Sequence, residues 1–196
     1  MMRRKTVRFW LVSVAVLLLL GTGAFAIWKW MDGKVKCLVL ELPSGFVYET
    51  GIGETLQKQK EEGISIALWK EEKEVLIVNP EFNRSLRMDA LALAGESSVL
   101  FPYGNALVSG EEGYCILGEN VALQLFGSTK VSGKTVQIKG KDYQVAGIEF
   151  DRLDIFVYQV SRDSGEQLEY AGITYRSQSE KYKKLRCLEN YFGVSE

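Results

Sequence analysis

The sequence predicts an α+β protein, with an N-terminal transmembrane helix followed by an extracytoplasmic domain of mixed strands, hairpins and short helices. Three observations carry this prediction. Residues 9–28 run for 20 positions without a charge, residues 135–139 and 143–148 alternate apolar and polar around a Gly-Lys pair, and residues 119–126 and 179–192 place apolar side chains at helical spacing. With 46% hydrophobic residues, 11% aromatic and 3 Pro in 196 positions, the chain has the composition of an ordered protein with one domain of ordinary size. It contains no His. That removes the usual base of Ser and Cys hydrolases and the commonest neutral ligand for zinc, copper or non-haem iron, so neither a cofactor nor a metal is expected.

At 1.5 Å per residue the charge-free run spans about 30 Å, the thickness of a bilayer's hydrocarbon core. Trp10 near one end and Trp28 and Trp30 at the other sit where tryptophan prefers the headgroup level. Residues 1–8 form a basic cytoplasmic leader with Arg3, Arg4, Lys5 and Arg8, residues 9–30 the membrane helix, and residues 31–196 the outer domain. Ala24-Phe25-Ala26 is a signal-peptidase pattern, so cleavage is the competing reading; the length of the apolar run and the tryptophans beyond it favour a retained anchor. Residues 1–30 hold five basic groups and no acid, so with a net charge of −1 the remainder sums to −6. An acidic body behind a basic leader gives no support for nucleic-acid binding.

In the outer part, residues 35–42 are apolar and closed by Pro43-Ser44-Gly45, as a strand or as a helical continuation. Thr50 caps a helix over about 51–62, which Gly63 stops. Residues 64–69 and 75–78 read as two strands around a charged turn, Lys70 to Glu74. An apolar stretch over 91–100 is broken by Gly95. Residues 119–126 form a short helix ending at Gly127, and the hairpin 135–148 turns at Gly140-Lys141 as a type II′ turn. Residues 155–158 and 168–176 are further strands. Ser177-x-x-Glu180 is a capping box for a last helix over 179–192, with Tyr182, Leu185, Leu188 and Phe192 on one face and Lys181, Lys183, Lys184 and Arg186 on a solvated one.

The stretch from Gly127 to Thr135 fails as a phosphate loop, because five residues rather than four separate its glycines and a helix rather than a strand precedes it. Direct nucleotide binding is not expected. Glu149, Asp151 and Asp154 are candidates for paired carboxylates, although solvated turn acids are far commoner. Tyr103, Tyr170, Tyr175 and Tyr191 would line a sugar or peptide groove if they were not simply packed. Cys37, Cys115 and Cys187 match no metal spacing and allow either buried thiols or one disulfide.

Two segments carry a family resemblance. Leu117-Gly118-Glu119-Asn120-Val121-Ala122-Leu123-Gln124-Leu125-Phe126-Gly127 is followed after five residues by Gly133-Lys134-Thr135-Val136-Gln137-Ile138-Lys139-Gly140-Lys141-Asp142-Tyr143-Gln144-Val145-Ala146-Gly147-Ile148. Together they resemble the extracytoplasmic core domain of MacB-type, FtsX-like ABC transporter permeases. In that family a helix with Glu, Ala and a terminal Leu-Phe-Gly precedes a Gly-Lys hairpin ending Val-x-Gly. The resemblance implies that Glu119, Ala122, Leu125, Phe126, Gly127, Gly133, Lys134, Gly140, Val145 and Gly147 shape the fold rather than react. It also implies a membrane-proximal lobe over about 35–80 plus 168–196 and a distal lobe over about 81–167.

Two departures accompany the resemblance. Val131-Ser132 stands where the family usually has a Pro before Gly-Lys, and the sequence ends at Glu196, ahead of the three further membrane helices such permeases carry. The implied role is a non-enzymatic, single-pass accessory or split subunit in export or envelope lipid and peptide handling. Its implied partners are membrane lipid and the permease and ATPase subunits of an ABC transporter. The alternative is an independent anchored or secreted binding module for peptide, glycan or envelope polymer. A third reading is a His-free carboxylate enzyme acting on cell-wall sugar.

Overall fold

The computed structural model describes residues 35–102, 107, 112–161 and 164–192. The chain divides into two units, Met1–Lys36 and Cys37–Glu196, and the fold below is that of the second. The expected membrane helix, its cleavage pattern and Trp10, Trp28 and Trp30 lie outside the described residues, as does Tyr103. Among the described residues no helix is long and apolar enough to cross a membrane.

The element order is β1 (Lys36–Glu41), α1 (Thr50–Glu61), β2 (Ile66–Asn79), β3 (Arg84–Gly95), a 3-10 turn (Ser97–Val99), β4 (Tyr114–Gly118), α2 (Glu119–Phe126), β5 (Thr135–Ile138), β6 (Lys141–Glu149), β7 (Phe156–Gln159), β8 (Tyr170–Tyr175) and α3 (Gln178–Phe192). The strands form one sheet in the order β1-β8-β2-β3-β7-β4-β6-β5, and a further pairing of β2 with β5 closes the last six into a ring. Two of the pairings, β3 with β7 and β4 with β6, are parallel. The molecule therefore has two regions that share β2 and β3. One is a closed ring; the other is an open sheet edged by β8 and β1.

The largest correction to the sequence reading concerns β2. Residues 64–69 and 75–78 are not two strands around a turn but parts of one 14-residue strand. Its partner is β3, in antiparallel register from Ala67↔Gly95 to Asn79↔Arg84. The charged residues are absorbed by a bulge: the register shifts between Glu72 and Val75, and Glu74 adopts φ +54°. Asp89 on β3 satisfies the extra groups, accepting the Glu74 N–H at 3.2 Å and the Lys73 ammonium at 2.8 Å. No Gly, Pro or Asn lies between Lys70 and Glu74, so nothing there favours reversal of the chain.

Smaller differences have equally local causes. The helix α1 starts at Thr50, with Glu49 rather than Thr50 in the capping position. In the β5–β6 hairpin Ile138 pairs with Lys141, so the central turn residues are Lys139 and Gly140, at φ +52° and +78°. Two successive positive φ angles are the type I′ geometry, which matches the twist of the flanking strands, instead of the expected II′. In α3, Ser177 Oγ accepts the Glu180 N–H at 3.3 Å, while the Glu180 carboxylate reaches back to the Arg176 N–H at 2.8 Å. Tyr182 is exposed rather than on the buried face. Lys184 is buried rather than solvated, donating to the Thr174 carbonyl at 2.7 Å and pairing with Glu180 at 2.7 Å.

One apolar core runs through both regions. It joins Leu56 of α1, Leu188 and Phe192 of α3, Ile66 and Leu68 of β2, Ile173 of β8, and the ring residues Ile77, Val136, Ile138, Val145 and Phe156, with Val121, Ala122 and Leu125 of α2 against them. A second cluster covers the opposite face of the sheet, where Val99, Phe101 and Leu107 lie over Trp69, Leu93, Ile116 and Val157. Asn79, fully buried at the end of β2, ties the β2–β3 turn to α2 by donating to the Leu125 carbonyl at 3.0 Å and accepting the Glu81 N–H at 3.0 Å.

Candidate functional site

The strand β2 carries β8 on one edge over Ile66 to Trp69 and β5 on the same edge at Ile77 and Val78. Between these, among the described residues, no strand lies along that edge of β2. Side chains bridge the gap. Glu72, at the start of the bulge, receives the Lys139 ammonium of the hairpin turn at 2.8 Å, the Lys70 ammonium at 2.9 Å and the Tyr158 hydroxyl of β7 at 2.9 Å. Lys70 is shared with Glu166, in the segment between β7 and β8, at 2.5 Å. Three separate stretches of chain thus meet at one carboxylate, and Lys70 and Lys139 tie in a fourth through Glu166.

The electrostatics follow from burial and donors. The Glu72 side chain is 11% exposed. Burial alone pushes its carboxyl upward, but hydrogen bonds from Lys139, Lys70 and Tyr158 outweigh burial and hold it down at about 2. Tyr158 is driven well above the usual phenol range by burial and by the Glu72 charge, so it remains a donor. For Lys70, burial favours the neutral amine, yet Glu166 and Glu72 reverse that and raise its value. Such a cluster can hold segments together; its groups are matched in charge and already bonded to one another.

A groove of about 600 Å³ lies outside this cluster, lined by Glu72, Leu76, Val78, Gln137, Lys139 and Gly140 among others. A small space of about 70 Å³ lies beside Tyr143, Tyr158, Ser161 and Glu166. Lys139 lines both.

The residues that carried the family resemblance occupy α2 and the β5–β6 hairpin. Glu119 opens α2, where an acid complements the helix dipole, and Ala122, Leu125 and Phe126 are buried. Gly127 ends the helix at φ +72°, its N–H donating to the Leu123 carbonyl at 2.8 Å. The Gly133 N–H donates to the Val145 carbonyl at 2.8 Å, and Val145 is itself buried. Lys134 is exposed and pairs with Glu81 at 2.8 Å. Gly140 lies in the turn, and Gly147 opposes Ile116 across the parallel β4–β6 pair. These residues are far more concerned with turns and packing than with each other's side chains.

The three acids do not converge. Glu149 is buried, with Oε1 accepting the Asp151 N–H at 3.1 Å and Oε2 without a partner. Asp154 accepts from the Asn120 amide at 3.0 Å. Among the described residues no group of three or more acids and cysteines is arranged to hold a metal. Tyr170 stacks on Trp69 with ring centres 5.7 Å apart, whereas Tyr191 is exposed. Cys37, Cys115 and Cys187 are free thiols, with Cys115 buried and its acidity suppressed by that burial. The sequence reading missed Lys70, Glu72, Lys139, Tyr158 and Glu166. The available signal was the charged run Lys70 to Glu74, which mixes both signs and has no turn residue, and so fits a strand better than a loop.

Solved structures that share this fold include two from bacteria. They are extracytoplasmic domains of ABC-type transporters. The first is the extracellular domain of the transporter YknZ from Gram-positive bacteria, with a TM-score of 0.53 at 14% identity over 81% of this chain and 97% of that one. The second is the periplasmic region of MacB from Actinobacillus actinomycetemcomitans, with a TM-score of 0.54 at 14% identity over 82% of this chain and 86% of that one. At this identity the likeness establishes the fold alone: the described domain has the architecture of a MacB-like periplasmic core domain. No protein-family model and no curated protein matches the sequence.

Proposed function

We propose that the chain is a non-enzymatic membrane protein whose outer domain works within an ABC-type transport assembly, as an accessory or split subunit beside a permease and its ATPase. The observation that carries this reading is the extent of the fold: the chain aligns with 97% of the extracellular domain of one such transporter. The apolar run over residues 9–28 supplies the single-pass anchor, with the basic leader inside and the domain outside. In this reading the lobe over about 35–80 plus 168–196, which holds β1 and β8, is membrane-proximal and the lobe over about 81–167 is distal. The helix-hairpin residues from Glu119 to Gly147 serve to shape the distal part. Export or the handling of envelope lipid or peptide is the corresponding task.

Affinity purification of the tagged full chain from membranes, in a mild detergent that preserves such complexes, tests the assembly. Co-recovery of a permease and an ATPase is the expected result. Recovery of the chain with neither overturns the proposal, and tight ligand binding by the lone chain then favours an independent binding module.

A further inference from the structure

Among the described residues, the gap in the β2 edge interrupts the backbone pairing where the two regions join. Below it, β8 pairs with β2 at four positions, from Ile66↔Ile173 to Trp69↔Tyr170. Above it, β5 pairs at two, Ile77↔Ile138 and Val78↔Gln137. Within it the β2–β3 ladder is itself interrupted by the shift between Glu72 and Val75. A bulge flanked by one unpaired edge is the place where a ladder bends with the fewest hydrogen bonds at stake.

What closes the gap is charge. The Lys139 ammonium lies 2.8 Å from Glu72 of the shared strand and 3.9 Å from Glu166 of the segment leading to β8. Its side chain is 56% exposed, whereas that of Glu72 is 11% exposed. Lys139 is therefore the member of the cluster that can leave into water, while Glu72 keeps Lys70 and Tyr158 as partners. Lys139 lines both the groove of about 600 Å³ and the space of about 70 Å³.

We infer that the Glu72 to Val75 bulge is a hinge between the open sheet and the strand ring, and that Lys139 is the latch that holds it closed. With Lys139 withdrawn, the hairpin turn is free of Glu72 and Glu166, and the two spaces that Lys139 lines join. The hinge does not depend on the transport reading, because it concerns motion inside one domain.

Hydrogen exchange measured by mass spectrometry on the full chain in detergent tests it, comparing wild type with Lys139→Met and Lys139→Arg. Lys139→Met is expected to speed exchange about tenfold in residues 70–76 and 137–141, both by the same factor, with residues 178–192 unchanged. Lys139→Arg is expected to behave like wild type, since it keeps the charge and the reach. A second measurement needs no variant: raising salt to about 1 M screens the exposed pair and is expected to produce the same local change in wild type. No change under either condition overturns the hinge. So does a rise spread over the whole domain, or one confined to only one of the two segments.

Discussion

The ring and the open sheet solve the same problem in different ways. In the ring, strand edges from β2 through β5 are satisfied by neighbouring backbone, because the β2–β5 pairing closes the circle. In the open sheet, β1 ends the order and α1 and α3 place Leu56, Leu188 and Phe192 in the core. Where the two regions join, neither device is used, and four charged groups and a phenol stand in for a missing strand. Backbone closure thus sets the shape of each region, while the junction between them is set by side-chain electrostatics.

The core that both regions share is the most sensitive to substitution. Phe156 in the ring and Leu188 on α3 are both fully buried. Phe156→Ala is expected to cost about 3–5 kcal/mol and Leu188→Ala about 2–5 kcal/mol. Because one cluster contains both residues, denaturant unfolding of each variant should remain a single transition with a lowered midpoint. Two separated transitions would show that the ring and the sheet are independent folding units.

An intermediate effect is expected at the junction. Glu72→Gln leaves Lys70 and Lys139 without their shared carboxylate and should cost roughly 2 kcal/mol at neutral pH, below the range for a fully buried pair because Lys139 is exposed. The pH dependence has a definite sign. Glu72 is held at about 2 in the folded domain, against about 4.3 in an unfolded chain, so the unfolded state binds the proton first. Its stabilisation is fully present above about pH 5 and is lost as pH falls toward 2. Thermal unfolding from pH 6 to pH 2.5 should show a shallower loss in Glu72→Gln than in wild type. Parallel curves would remove Glu72 from the account.

Much of the ring was legible in the sequence, and little of the junction was. The helix over 119–126 and its stop at Gly127 matched position by position, because the apolar spacing, the glycine and the adjacent strand all act locally. The β5–β6 hairpin was legible in its strands but not in its turn, since Lys139 tolerates a positive φ that the sequence reading reserved for glycine. The strand β2 was misread because its charged centre is stabilised from a distance: Asp89, Lys139, Tyr158 and Glu166 lie between 15 and 96 residues from their partners there. Lys184 escaped for a related reason, as its burial depends on the Thr174 carbonyl at the end of β8. The motif residues point to fold, whereas the charged cluster is visible only after the strands are assembled.

The smallest expected effect isolates what distinguishes the junction from ordinary surface charge. One residue along β2 from Glu72, Lys73 pairs with Asp89 at 2.8 Å and with Glu71 at 3.4 Å, so its geometry is as good as that of the Glu72 cluster. The difference is exposure: the Lys73 and Asp89 side chains are 67% and 55% exposed. Water and salt screen such a pair, and ordering two mobile side chains offsets what attraction remains. The Asp89→Asn variant keeps an oxygen able to accept the Glu74 N–H. Its denaturation midpoint should therefore match wild type within experimental error, at low and at high salt alike. A loss comparable to that of Glu72→Gln would mean that the bulge geometry, and not the burial of Glu72, supplies the strength of the joint.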